Sequence, residues 1–282
     1  MNFDVIVIGS GPGGYVAAIR ASQLGLKTAV VEKAEVGGIC LNWGCIPTKA
    51  LMKSAQAYKY MKHAAEYGIK LEGEVKPDFP AIVSRSRGVA DAMSKGIQFL
   101  FKKNKIEVLP GFGKLMPGKK VEVTAADGSK TVYEANHIIL ATGARSRELP
   151  ALKQDGNKII GYREAMTLSQ QPESMVVVGS GAIGSEFAYF YNTIGTKVTL
   201  IEFLPNIVPV EDEEVSKQLE RSFKKAGMNI LTSSEVTRVD KEGDKCKVYV
   251  NTKKGEEIFE ADVVLSAVGV ATNLEGLGLE ET

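Results

Sequence analysis

Apolar positions along this chain gather in short, strand-length runs. Val5-Ile6-Val7-Ile8, Ala29-Val30-Val31, Val176-Val177-Val178 and Val198-Thr199-Leu200-Ile201 are the clearest. Runs of this length bounded by glycine read as strands. The first and third run straight into glycine clusters, and a helical stretch follows before the next strand. Two other regions alternate instead. Val121-Glu122-Val123 and Val248-Tyr249-Val250 are each followed by a turn glycine, Gly128 and Gly255, then by a Glu-Ala pair and an apolar strand. Alternation around glycine turns reads as a β-meander. Each meander is expected to feed a buried strand, His137–Gly143 in one case and Asp262–Gly269 in the other, that returns to the main sheet.

The pattern is a repeat. Gly9, Gly11, Gly14, Gly25, Lys27 and Glu32 recur 170 positions later as Gly179, Gly181, Gly184, Gly195, Lys197 and Glu202. Each copy is a strand, a GxGxxG turn, a helix and a second strand ending in an acid. In a dinucleotide-binding unit the first glycine makes the turn and the second admits a pyrophosphate to the backbone. The third lets helix and sheet pack closely, and the helix N-terminus stabilises phosphate charge. The terminal carboxylate can accept hydrogen bonds from a ribose diol. One such fingerprint is weak evidence, but two with the acid at the same distance are strong. Glycine turns without a ligand are the competing reading.

Between the first acid and the first meander lies Gly37-Gly38-Ile39-Cys40-Leu41-Asn42-Trp43-Gly44-Cys45-Ile46-Pro47-Thr48-Lys49. The chain has three cysteines, and two of them are five apart here. A disulfide closing so short a loop restricts the unfolded chain little, which favours a working redox pair over a staple. Helical positions five apart point away from each other. The bond therefore requires a distorted turn across Asn42-Trp43-Gly44. A structural zinc half-site is the alternative, but only Cys246, His63 and His137 remain as further ligands, each distant in sequence. No metal is expected.

Charge and composition narrow the classes. Thirty-five basic side chains nearly balance 34 acidic ones, so no basic field calls for nucleic acid. With 44% hydrophobic and 24% charged residues the composition is that of a globular protein. No apolar run is long enough to span a membrane. A strand beginning at Phe3 leaves no room for a leader, and the reading is a cytoplasmic protein.

With both fingerprints and the cysteine segment in view, the chain resembles the pyridine nucleotide–disulfide oxidoreductases. Its segment Gly38–Leu51 is most similar to the branch that oxidises dihydrolipoamide. Val198–Pro209 and the acidic Glu211-Asp212-Glu213-Glu214 are similar to that branch's nicotinamide domain. The resemblance implies an α/β fold of two Rossmann-like domains, each with a β-meander. It implies a FAD-binding domain over 1–147 carrying the redox disulfide, an NAD-binding domain over 148–270, and a return to the FAD domain over 271–282. The hinge is expected near Ser146–Pro150.

By the same resemblance Gly9, Gly11, Gly14 and Glu32 hold FAD, with Lys33, Gly38, Gly113, Thr142 and Gly143 lining the rest. Gly179, Ser180, Gly181, Ala182, Ile183 and Gly184 take the NAD phosphates and Glu202 the adenine ribose. Val236 and Ala267, Val268, Gly269 and Val270 complete the nicotinamide side, Val270 standing where the family often has arginine. A carboxylate at Glu202 repels a 2′-phosphate, which argues for NAD over NADP. Cys45 is implied to lie nearest the flavin, and Cys40 to exchange with substrate. Lys49 lies one helical turn past Cys45, and its implied ion-pair partner is Glu186, tying the two domains together.

The implied partners are NAD⁺/NADH and the lipoyl domain of a 2-oxoacid dehydrogenase or glycine cleavage complex. The family homodimer is built on an interface domain, supplying a His–Glu acid–base pair, that has no counterpart here. Dihydrolipoamide turnover by this chain alone is accordingly expected to be feeble, and the flavin domain is expected to lack its final strand. Two alternatives remain open: another disulfide reductase of the family, and a nucleotide-binding module without turnover.

Overall fold

The computed structural model describes residues 2–281. Chain order runs β1 (Asn2–Ile8), α1 (Pro12–Gln23), β2 (Thr28–Glu32), α2 (Gly38–Trp43), α3 (Cys45–Lys62), α4 (Phe79–Lys103), β3 (Glu107–Pro110), β4 (Phe112–Met116), β5 (Lys120–Thr124), β6 (Lys130–Leu140) and β7 (Ala144–Ser146). It continues with β8 (Ile159–Ile160), α5 (Tyr162–Ala165), β9 (Ser174–Val178), α6 (Ala182–Ile194), β10 (Lys197–Ile201), α7 (Glu213–Lys225), β11 (Asn229–Leu231), β12 (Glu235–Glu242), β13 (Lys245–Thr252), β14 (Gly255–Ala261), β15 (Val263–Ser266) and β16 (Val270–Thr272). The architecture is α/β, with two Rossmann-like units that each carry a meander. Among the described residues no helix is long and apolar enough to cross a membrane.

The chain divides into two compact units that do not follow sequence order. One comprises Met1–Pro47, Arg87–Arg145 and Ala271–Thr282, the other Thr48–Ser86 and Ser146–Val270. Most of α3 and the start of α4 therefore cluster with the second unit.

In the first unit six strands lie in the order β3-β2-β1-β6-β5-β4. The pairs among β3, β2, β1 and β6 are parallel, and β6-β5-β4 is the expected meander, continuous with the same sheet. Alternate residues of the apolar runs face opposite ways. Ile6, Ile8, Ala29 and Val31 pack with Leu115, Val121 and Val123 of the meander. Val5, Val7 and Val30 pack with Ala18 and Ala21 of α1 and with Ile97 and Phe101 of α4. Both faces are covered, which is why β1 and β2 read as unbroken apolar runs. Fully burying each such side chain contributes about 1.5–3 kcal/mol.

One expected burial is not found. Residues 137–143 read as a buried strand, yet Ile139 and Leu140 are 38% and 41% exposed. Ile138 packs against the meander-side core, whereas α1 lies over β1 and β2 rather than β6. The counterpart β15 is buried at all four positions.

The second unit has a parallel sheet ordered β11-β10-β9-β15-β8 and a separate three-stranded meander, β12-β13-β14. Val176, Val178, Ile201 and Val264 pack with Cys246, Val248 and Val250 of that meander. Phe187, Phe190 and Tyr191 of α6 are fully buried. The Tyr191 hydroxyl donates to the Ala165 carbonyl at 2.5 Å, and burial pushes its ionisation far up. A two-stranded ribbon pairs β16 with β7.

Candidate functional site

The six fingerprint glycines fall into two classes. A Cβ on Gly9 would stand 2.1 Å from the Ala141 carbonyl oxygen, and one on Gly14 would stand 1.8 Å from the Gly9 oxygen. The second copy repeats this, with Gly179 at 2.4 Å from the Ala267 oxygen and Gly184 at 1.9 Å from the Gly179 oxygen. These four are required by the fold, since backbone occupies the space. Gly11 and Gly181 are not. A Cβ on Gly181 would meet nothing within 4 Å, and one on Gly11 would meet only the Gly38 Cα at 3.9 Å. Their φ angles of −65° and −60° suit any residue. A glycine that the chain itself does not need, at the mouth of a helix, fits a cradle for a ligand's backbone-hugging phosphate.

The helices behind these turns support that fit. The first turns of α1 and α6 have no side-chain cap, so their N–H groups and positive dipole ends are left for an anion. By contrast, α7 caps itself: Asp212 accepts from Glu214 N and Val215 N at 2.8 and 3.3 Å.

Each cradle ends in its acid, held the same way twice. Glu32 Oε2 accepts from Ser10 N at 2.9 Å and Ser10 Oγ at 2.5 Å, and Oε1 accepts from Ala34 N at 2.9 Å. Glu202 Oε2 accepts from Ser180 N at 2.8 Å and Ser180 Oγ at 2.6 Å, and Oε1 accepts from Leu204 N at 2.9 Å. Sequence reasoning passes over Ser10, although the same serine recurs at 180.

The cysteine segment shows the expected break. Helix α2 ends on Trp43, Gly44 leaves helical geometry at φ −143° and ψ −120°, and α3 starts on Cys45. A Cβ on Gly44 would stand 3.0 Å from the Ile39 oxygen, so the two helices meet closely there. Cys40 is half-buried and Cys45 exposed. Gly38 lies against the first cradle, since its Cβ would fall 2.6 Å from the Gly11 Cα. The turn between the cysteines is braced by residues the sequence did not signal. The Arg87 guanidinium sits 4.3 Å from the Trp43 ring centroid and donates to the Asn42 carbonyl. Trp43 Nε1 donates to Glu35 at 3.2 Å. Burial lowers the Arg87 pKa, partly offset by Glu35 and Asp91.

Lys49 and Glu186 form the expected ion pair, with side chains 59% and 27% exposed. Both belong to the second unit, because residues 48–86 cluster with 146–270. The pair is therefore internal to that unit rather than the bridge expected between domains. Lys33 is exposed and lies 5.7 Å from the Phe112 ring centroid. Gly113 is buried in β4, its Cβ position 3.2 Å from Ile8 and Val31 side chains, so packing alone accounts for it. The Thr142 and Gly143 carbonyls accept from Asn273 Nδ2 and N, each at 3.0 Å, a brace invisible in the sequence.

In the second unit Ala182 and Ile183 form the first turn of α6. Val236 sits at a register irregularity in β12 and packs against the core. Ala267 N donates to the Val178 carbonyl at 2.8 Å, and the Gly269 carbonyl accepts from Arg147 N at 3.0 Å. Val270 is exposed at the start of β16. Cys246 is fully buried in β13, and burial raises its pKa. His63 pairs with Glu66 at 3.0 Å on the surface, and His137 is exposed on β6.

Residues 3–282 match the profile of the family described as pyridine nucleotide-disulphide oxidoreductase. A dihydrolipoyl dehydrogenase of Rhizobium etli is 49% identical over 99% of this chain and 61% of its own length. One from Chlorobaculum parvum is 47% identical, with 99% and 60% covered. A leghemoglobin reductase of Vigna unguiculata is 43% identical, with 99% and 54% covered. Among solved structures, LpdA of Mycobacterium tuberculosis superposes with a TM-score of 0.89 at 30% identity, over 99% of this chain and 61% of that one. The chain thus spans about six-tenths of the length of the dehydrogenases it matches.

Proposed function

Because the chain belongs to the pyridine nucleotide-disulphide oxidoreductase family, we propose that it is the nucleotide-binding and redox portion of an NAD-linked flavoprotein that oxidises protein-bound dihydrolipoamide. The observation that carries this reading is the cradle built twice, with Gly11 and Gly181 each left bare where a phosphate would approach, in a chain that also carries a cysteine pair at a broken helix. Bound at the first cradle, FAD would supply two-electron redox chemistry, and NAD bound at the second would supply a hydride acceptor.

The chain's own residues bind and position. The first turns of α1 and α6 donate N–H groups to the two pyrophosphates, while Glu32 and Glu202 accept from the two adenosine riboses. Lys33, Gly38 and the Thr142-Gly143 turn line the flavin side, while Gly113, buried against Ile8 and Val31, acts only in packing. Val236 and Ala267–Val270 line the nicotinamide side. At the cysteines the reaction is thiol–disulfide exchange. A dihydrolipoyl thiolate attacks Cys40 of the disulfide, and Cys45 leaves as thiolate. The second lipoyl sulfur then displaces Cys40 and closes the lipoyl disulfide. Two electrons have then passed to the cysteine pair, which is left as a dithiol once its protons are counted. Lys49, fixed by Glu186, places a cation one helical turn past Cys45. His63 and His137 are both exposed and neither occupies a motif matching the family's base, so turnover of dihydrolipoamide by this chain alone is expected to be feeble. The lipoyl domain of a 2-oxoacid dehydrogenase or glycine cleavage complex is the proposed macromolecular substrate.

Absorption spectroscopy tests this. The purified chain, supplied with FAD and desalted, is expected to keep a flavin spectrum that anaerobic NADH alters. It is expected to lose the disulfide-dependent part of that response in Cys45→Ser. A chain that binds NADH but never retains flavin would instead support a nucleotide-binding module.

A further inference from the structure

Ser10 and Ser180 do more than sit inside a glycine turn. Ser180 is fully buried and its hydroxyl donates to Glu202 Oε2 at 2.6 Å. Ser180 Oγ itself accepts from Val208 N at 3.2 Å, and the Ser180 carbonyl accepts from that N–H at 3.1 Å. The first copy repeats every bond. Ser10 Oγ donates to Glu32, while Gly37 N donates to both Ser10 Oγ and the Ser10 carbonyl at 3.2 Å. One hydroxyl thus joins three things: the glycine turn, the ribose-facing acid, and the loop that leaves the acid's strand.

That loop is under constraint in the second copy. Val208 has φ +42°, whereas its counterpart Gly37 has φ +100°. A β-branched residue in the left-handed region persists only where its surroundings hold it, and Ser180 supplies both acceptors of its N–H. Glu202 itself is 7% exposed. Three of its four carboxylate lone-pair positions are already taken, two on Oε2 and one on Oε1. The acid cannot swing aside without breaking these bonds. A fixed carboxylate can accept from a ribose hydroxyl but cannot make room for a 2′-phosphate.

We propose that Ser180 is a specificity-determining positioning residue: by clamping Glu202 and the Val208 loop together, it makes the second cradle select NAD over NADP. Ser10 positions Glu32 in the same way at the first cradle. The proposal rests on reading the second repeat as the nicotinamide nucleotide site.

Calorimetric titration of the full chain with NADH and NADPH, for wild type, Ser180→Ala, Ser180→Thr and Glu202→Ala, tests it. Loss of one hydrogen bond to a charged group corresponds to about a tenfold change. Ser180→Ala is expected to narrow the NADH-over-NADPH preference by about tenfold. Amide hydrogen exchange at Leu204 and Val208 should quicken in that variant and not across the sheet. Ser180→Thr, which keeps the hydroxyl, should retain the preference. Equal weakening of both nucleotides in Ser180→Ala, or an unchanged preference, overturns the proposal. If Glu202→Ala also leaves the preference intact, the ribose reading of that acid fails, and the nicotinamide assignment with it. If Glu202→Ala erases the preference and Ser180→Ala does not, only the serine's role is refuted.

Discussion

Substituting alanine for the glycines of the second fingerprint one at a time separates what the fold needs from what a ligand needs. At Gly184 the new methyl would lie 1.9 Å from the Gly179 oxygen and 3.2 Å from the Ala267 Cβ. The nearest obstacle is backbone and cannot rotate away, so the expected cost is about 3 kcal/mol or more. At Gly181 nothing lies within 4 Å and φ is −60°. Alanine is a poorer N-cap than glycine, but it also restricts the unfolded chain by about 0.4–1 kcal/mol. The two effects oppose, and the net change is expected within about 1 kcal/mol. At about 2–4 °C per kcal/mol, Gly184→Ala should lower Tm by about 6 °C or more and Gly181→Ala by under about 4 °C. NADH titration should show the reverse order of interest. Gly181→Ala keeps its fold and loses about 100-fold in affinity, the worth of one or two charge-assisted hydrogen bonds at about 1.5–3 kcal/mol each. Circular dichroism melts and calorimetry on the same preparations measure both. If Gly181→Ala melts as low as Gly184→Ala, or binds NADH as wild type does, the division of these glycines into two classes is wrong.

Three further outcomes are expected. In the reduced, nucleotide-free chain, alkylation with a maleimide should modify exposed Cys45 first and half-buried Cys40 more slowly, and should reach fully buried Cys246 only on unfolding. Early labelling of Cys246, followed by mass spectrometry, would contradict its placement. Burial alone would raise the Asp155 pKa, but Lys241 and the N–H groups of Asn157, Ile159 and Lys158 outweigh it and hold the carboxyl well below its usual range. Its folded pKa lies below the unfolded one, so its stabilisation is full above the ordinary carboxylate range and fades as pH falls through it. Asp155→Asn should therefore be less stable than wild type at pH 7 and converge with it in acid, a trend that urea melts at several pH values would show or exclude. Finally, Trp43 is the only tryptophan, so its emission reports on the turn between the cysteines. Arg87→Ala, which removes a cation–π contact worth about 0.5–2 kcal/mol, should red-shift that emission, and an unshifted spectrum would mean the guanidinium does not brace the ring.

What could be read from the chain in advance was what depends on backbone geometry over short spans. Gly9 and Gly14 are visible because a turn and a close helix–strand approach exclude every larger residue, wherever the rest of the chain goes. The meanders were visible for a similar reason, since alternation in Val121-Glu122-Val123 records one covered face. The bracing contacts were not. Arg87 reaches Asn42 across 45 positions, and Asn273 reaches Thr142 across 131, and no local pattern marks either residue. The misjudged burial of Ile139 and Leu140 has the same origin. An apolar run signals that a strand can be covered on both faces, and which helix covers it is decided elsewhere in the chain. The clustering of 48–86 with 146–270 is likewise a tertiary outcome, invisible within two helices whose own sequences are continuous.

The order of strands in the two sheets has a consequence for a chain emerging from a ribosome. The first unit's sheet takes its last strand at Leu140, and every neighbour it pairs with has already been made. In the second sheet β15, residues 263–266, lies between β9 and β8 rather than at an edge. Until it arrives β8 has no partner in the sheet, and one side of β9 stays open. The first sheet can thus form while the second waits for residues 263–266, and the open flank of β9 is the place where a nascent molecule is most in need of a chaperone.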